Sequence, residues 1–210
     1  MLFIFLFKYL YYQINTTNIL DNYGDPRNVD MKFLSEKENL IYIFVESFEV
    51  SVGSIDNGGY MNKSYIPNLE KLAMENTNFS NTDKLGGAMQ VEGVGFTVGG
   101  MVAQTAGIPL KVLVQGNHYN EYSSFFLGAY SLGEVLKDNG YNNYLMLGSD
   151  ANFGGRRKYF QEHGDYEIFD YYWAIKQGLI RESYYELWGY EDSKLFKYAK
   201  EQLTNISKIY

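Results

Sequence analysis

Three places in the chain hold side chains of types and in settings that could do chemistry. Glu46 follows directly on the unbroken apolar run Leu40-Ile41-Tyr42-Ile43-Phe44-Val45. A carboxylate just past a buried strand lies where open α/β sheets place their ligand sites, and it could hold a metal. The competing reading is a carboxylate that only caps the following segment. Thr97 is the second place. It is preceded by the glycine-rich approach Gly93-Val94-Gly95-Phe96 and opens a helical pattern. A threonine at a helix start either caps the first-turn N–H groups or acts as a nucleophile toward an anionic phosphate that the helix N-terminus stabilises. A hydroxyl is a weak nucleophile at neutral pH, so the second role needs a base or a metal, and Glu46 could supply that metal.

The third place is Phe153-Gly154-Gly155-Arg156-Arg157, a loop after a strand end that could present guanidinium forks to a phosphate; ordinary surface arginines are the alternative. Glu162-His163-Gly164 looks like an acid/His metal pair, but its position at a helix end gives His163 and Gly164 a capping role instead. His118, in a loop, carries no signal. Trp188-Gly189-Tyr190-Glu191-Asp192 reads as an aromatic anchor followed by a helix start.

Elements that alternate in type must position these groups. After the run at 40–45, Pro67 opens a helix through Leu69, Leu72 and Ala73. Val98, Met101, Val102 and Thr105 recur at helical spacing, with Gly107 and Pro109 as the stop. A helix over Leu132 to Lys137 closes at Asn139-Gly140, and a strand Tyr144 to Leu147 follows. A short helix to His163, a strand Tyr166 to Phe169 and a last helix from Glu191 complete the pattern. That last helix is expected to line up Leu195, Phe196, Ala199, Leu203 and Ile206. Strands alternating with helices predict an α/β fold with a mainly parallel central sheet and helices on both faces.

Composition narrows the partners. The 210 residues are 46% hydrophobic and carry a net charge of −7 without a basic run, which disfavours duplex nucleic acid. Cysteine is absent and there are only two histidines, so disulfides, thiolate catalysis and multi-histidine metal sites are excluded for this chain by itself. Met1 to Phe7 is an apolar run too short to span a bilayer. Residues 1–12 are read as the remnant of a membrane or interfacial helix, and 13–38 as a connector.

Residues 39–210 resemble the N-terminal part of the sulfatase-type catalytic domain of the lipoteichoic acid synthase and membrane phosphoglycerol transferase family, within the alkaline phosphatase superfamily. The resemblance rests on Asn39 to Ser47, Pro67-Asn68-Leu69, the block Gly95-Phe96-Thr97-Val98-Gly99-Gly100-Met101-Val102-Ala103-Gln104, Gly107-Ile108-Pro109-Leu110, Gly148-Ser149-Asp150-Ala151, Phe153 to Arg156 and His163-Gly164. It implies a fold truncated at the C-terminus, with a divalent metal, manganese or magnesium, on Glu46 and Thr97. It further implies Thr97 as the nucleophile and Arg156 as a phosphate contact. The implied donor is the anionic head group of a phospholipid at the cell membrane, with the catalytic domain on the extracytoplasmic side. The implied acceptor is a glycan or polyglycerolphosphate. Two positions depart from the lipoteichoic acid synthase pattern, Leu147 where those enzymes have a histidine and Gly154 where they have a tryptophan. The chain is also expected to stop before a downstream Asp-His-Gly metal motif. A phosphoethanolamine transferase, a sulfuric ester hydrolase or a membrane-tethered, non-catalytic head-group binder are the alternatives.

Overall fold

Residues 23–33, 37–87, 91, 93–110 and 119–207 are described by the structure, a computed structural model. The helix remnant read at 1–12, part of the connector and His118 lie outside them. Helix α1 spans Pro67–Glu75, α2 Thr97–Ala106 and α3 Leu132–Asp138. Strand β1 (Tyr144–Met146), helix α4 (Arg156–Glu162) and strand β2 (Glu167–Phe169) form one parallel crossover unit. Helices α5 (Tyr171–Lys176) and α6 (Asp192–Ile206) follow.

The α/β class holds, with a smaller sheet than the pattern predicts. Among the described residues the sheet has two strands, in the register Tyr144 to Glu167, Leu145 to Ile168 and Met146 to Phe169. Backbone bonds carry the pairing past both ends: Glu167 N–H donates to Asn143 O (2.9 Å) and Leu147 N–H to Phe169 O (3.0 Å). Val98, Met101 and Val102 of α2 pack with Leu145, Leu147, Tyr159, Phe160 and Ile168 in the main core. A second, smaller core gathers Tyr171, Ala174, Ile180, Tyr190 and Tyr198 beneath α5 and α6.

The strand expected at 40–45 is not formed. The segment has no regular secondary structure and pairs with no strand among the described residues, and Ile41 and Ile43 are 64% and 59% exposed. A strand buried on both faces needs neighbours to take its ladder bonds and helices to cover its faces. Among the described residues neither is supplied to this run. Only Phe44 turns into the main core.

The helix expected from Pro67 forms as α1, with Leu69 and Leu72 exposed and Glu70 buried, accepting from Ser54 N–H and from Asn57 Nδ2 (3.1 Å). Its carboxyl is held below the usual range, first by the Ser54 bond. In α6 the inward residue is Tyr198, whereas Phe196 and Leu203 face outward. Trp188 is no anchor, being 65% exposed.

Two buried polar locks hold the elements around the site. His163 caps α4, with Nδ1 3.0 Å from Glu134 Oε2 and Nε2 2.8 Å from Phe125 O. Ser131 donates to His163 O (2.8 Å) and, with Glu134, forms the capping box of α3. Asp170 caps α5 through Trp173 N–H (3.0 Å) while accepting from Ala151 N–H (3.1 Å) and pairing with Arg157 (2.5 Å). No helix among the described residues is long and apolar enough to cross a membrane.

Candidate active site

Helix α2 begins at Thr97 because the glycine-rich chain before it permits a sharp entry. A Cβ at Gly99 would lie 2.6 Å from Gly93 O, so the approach loop folds back on the first helical turn and only glycine fits there. Gly107, at φ 71, ends the helix by donating from its N–H to Ala103 O (3.0 Å).

The capping reading of Thr97 is not met. Phe96 occupies the N-cap without a side-chain cap bond, and Thr97 is the first helical residue. Its hydroxyl is therefore not spent on capping. It donates instead to the Glu46 carboxylate, at 2.6 Å from Oε1 and 2.8 Å from Oε2. Residues separated by 51 positions meet, with the hydroxyl at a helix N-terminus that favours negative charge.

Glu46 is aimed by two features. Tyr42 donates to Gln104 Oε1 (2.6 Å), strapping the segment along α2 two turns below Thr97. Ser47, at φ 55, turns the chain sharply just past the carboxylate. A non-glycine residue in that region is strained, and such positions concentrate at functional sites.

Arg156 is not the open fork expected of a surface loop. It is 7% exposed, with Nε donating to Phe153 O (3.0 Å) and Nη2 to Asp150 O (2.6 Å) and Ser149 Oγ (3.2 Å). Gly154 and Gly155, at φ 67 and 73, let the loop wind tightly enough to place it there. Burial pushes its basicity down, and the nearby carboxylates of Asp150 and Glu46 push it back up. Glu46 thus lies within electrostatic reach of the guanidinium, and Thr97, Glu46 and Arg156 belong to one neighbourhood. Arg157 is committed to Asp170 instead.

The donor set bears on a metal. The Glu46 carboxylate and the Thr97 hydroxyl are hard oxygen ligands within bonding reach of one another, which suits magnesium or manganese as two of several ligands. Among the described residues no group of three or more His, Cys, Asp or Glu side chains converges to complete a shell. His163, expected in a structural role, is buried in its lock. Sequence reasoning missed Asp170, although an Asp ahead of Tyr171-Tyr172-Trp173 is a readable cap signal. It also missed Glu70, for which position in the helix gave no cue.

No family model matches the chain, and no solved structure matches it. Among curated proteins it is similar to phosphoglycerol transferase I of Salmonella paratyphi B, Salmonella newport and Salmonella typhimurium. Each is 34% identical over 175 residues, which is 82% of this chain and 21% of the relative. The chain thus spans about a fifth of the length of these relatives. With the resemblance quoted from Asn39 onward and identity at this level over most of the chain, the chain belongs to the phosphoglycerol transferase family.

Proposed function

We propose that this chain is part of a metal-dependent phosphoglycerol transferase that moves the glycerol-phosphate head group of phosphatidylglycerol to an acceptor hydroxyl in the cell envelope, at the outer side of the cell membrane. The observation that carries this reading is the bond from Thr97 to Glu46 at the start of α2. It leaves a hydroxyl free of capping duty, oriented by a carboxylate, and set where a helix N-terminus and a buried arginine favour a phosphate.

In this mechanism Thr97 Oγ attacks the head-group phosphorus. The Oγ–P bond forms, the bond from phosphorus to the diacylglycerol oxygen breaks, and diacylglycerol leaves with a proton. The Thr97 proton departs along its hydrogen bond toward Glu46. The glycerophosphoryl group then passes from Thr97 to an acceptor hydroxyl, restoring the threonine. Glu46 and Thr97 would hold manganese or magnesium, which supplies charge neutralisation and a lowered hydroxyl pKa. Arg156 raises the positive potential facing the phosphate. The acceptor is a glycan or a polyglycerolphosphate chain.

Among the described residues only Glu46 and Thr97 are placed to hold the cation, so weak binding and absent or very slow repeated turnover by these 210 residues are expected. Manganese titration followed by electron paramagnetic resonance should show weak binding that E46Q lowers further. Incubation with phosphatidylglycerol vesicles and manganese should leave one glycerophosphoryl group on Thr97, detected by peptide mass spectrometry and lost in T97A. Rapid turnover, or an adduct that persists in T97A, would overturn the reading. Phosphatidylethanolamine as donor tests the phosphoethanolamine alternative. A non-catalytic head-group binder is favoured by the commitment of Arg156 Nε and Nη2 to the protein's own oxygens. Head-group binding that survives T97A and metal removal, with no adduct, would establish it.

A further inference from the structure

Glu186 and Gly189 exchange backbone hydrogen bonds, Glu186 N–H to Gly189 O at 2.7 Å and Gly189 N–H to Glu186 O at 3.0 Å. Leu187 and Trp188 are therefore the whole loop of a tight hairpin. Two-residue hairpin loops demand positive φ at the first position, which selects Gly, Asn or Asp. Here a leucine holds φ 55. Leu187 is 83% exposed and Trp188 65% exposed, so neither contributes much to a core. Turn chemistry and packing would both be better served by polar residues. The strain is spent on presenting two apolar side chains to the outside.

The base of the tip is rigid and lies beside the candidate active site. Gly189 bridges Ser149, and a Cβ on it would meet Gly148 O at 1.9 Å. Tyr190 N–H donates to Gly148 O at 2.9 Å. The Trp188 ring stands 5.8 Å from that of Phe153, itself 44% exposed, and the Arg156 guanidinium lies 5.7 Å from the Phe153 ring. Leu187, Trp188, Phe153 and Arg156 thus form a line from solvent into the site.

We propose that the Leu187–Trp188 tip, with Phe153 beside it, is a membrane-docking surface that enters the interfacial layer of a phospholipid bilayer and sets Arg156 and Thr97 at head-group level. The choice of a lipid surface rests on the phosphoglycerol transferase reading, which brings this site to a membrane lipid. Side-chain chemistry points the same way. Indole rings settle at the water–hydrocarbon boundary, and a leucine at the extreme tip gains from acyl chains but offers no stacking face to a sugar. Glu186 adjoins the tip and the chain's net charge is −7, so the attraction is apolar rather than electrostatic. Docking then occurs on zwitterionic vesicles and changes little with salt.

The chain has two tryptophans, and the other one, Trp173, has its ring 4.6 Å from that of Phe169. W173F leaves Trp188 as the sole reporter. Phosphatidylcholine vesicles, alone or mixed with phosphatidylglycerol, should shift its emission to the blue, and brominated acyl chains should quench it. L187N suits the turn better and leaves folding intact, yet should reduce the quenching severalfold; T97A should not change it. Emission that stays unshifted and unquenched while the protein sediments with vesicles would overturn the docking. So would emission already blue before lipid and unmoved by it, which would mean that protein covers the tip. A Thr97 adduct without Trp188 quenching overturns docking alone. Quenching without any adduct supports docking and overturns the transferase reading alone.

Discussion

Two apolar stretches of this chain, Leu40 to Val45 and Tyr144 to Leu147, have similar composition and opposite fates. Leu145 and Leu147 are 6% and 7% exposed, whereas Ile41 and Ile43 remain largely in solvent. The later stretch finds its partner nearby: α4 returns the chain so that β2 pairs beside it, and α2 covers it. Among the described residues the earlier stretch is held through side chains, by Tyr42 to Gln104, Phe44 in the core and, just past its end, Glu46 to Thr97. A strand is thus a property of its neighbours as much as of its residues. The Thr97–Glu46 contact depends on the stretch that lacks them.

The sharpest break between the two regions should come in alkali. Burial pushes the Tyr159, Tyr166 and Tyr190 hydroxyls up to about 12, all three in the packed half. Their folded values lie above the unfolded one near 10, so their contribution is complete below about pH 10 and lost as pH rises toward 12. Circular dichroism against pH should show the crossover unit unfolding in that window, with phenolate absorbance rising in step.

Truncation of side chains should separate the halves next. Phe160, 2% exposed in the core, should cost about 3–5 kcal/mol when changed to Ala. Ile41→Ala or Ile43→Ala should move stability by less than about 0.5 kcal/mol. Urea unfolding measures both, and equal losses would show that the early stretch is packed after all. Between these extremes, His163→Ala should lose about 2–4 kcal/mol, because Phe125 O would lose its buried imidazole partner, Glu134 Oε2 would keep only its bond from Ser131 N–H, and the packed ring would leave a cavity.

The smallest effect is expected at Glu191, held down to about 2 chiefly by its bond to Lys194, with Tyr184 assisting. The folded value lies below the ordinary one, so what stability this exposed carboxylate adds is present above about pH 4.5 and fades as pH falls toward 2. The melting temperatures of wild type and E191Q should differ slightly at pH 6 and converge near pH 2.

Much of this arrangement is legible in the residues. The spacing of Val98, Met101, Val102 and Thr105 marks the inner face of α2, and Asn139-Gly140 marks the end of α3. What cannot be read is decided by distant partners. Leu40 to Val45 carries the pattern of a buried strand, but pattern does not say who pairs with it. Glu70 and Arg156 are buried because loops close over them, which no local periodicity reports. Trp188 looks like an anchor in one dimension and proves to be a tip in three, since the sign of φ at Leu187 turns it outward.

Tyr23 supplies a last consequence. Its hydroxyl donates to Ala106 O (3.0 Å), at the end of α2 opposite Thr97. Nine residue steps at 1.5 Å make that helix a strut of about 14 Å between the hook and the Thr97 hydroxyl. The Tyr23 hook is therefore referenced to the Thr97 hydroxyl by a stiff rod rather than a slack tether. A pull on that side would be felt at Thr97 as a change of aim before the packed half unfolds.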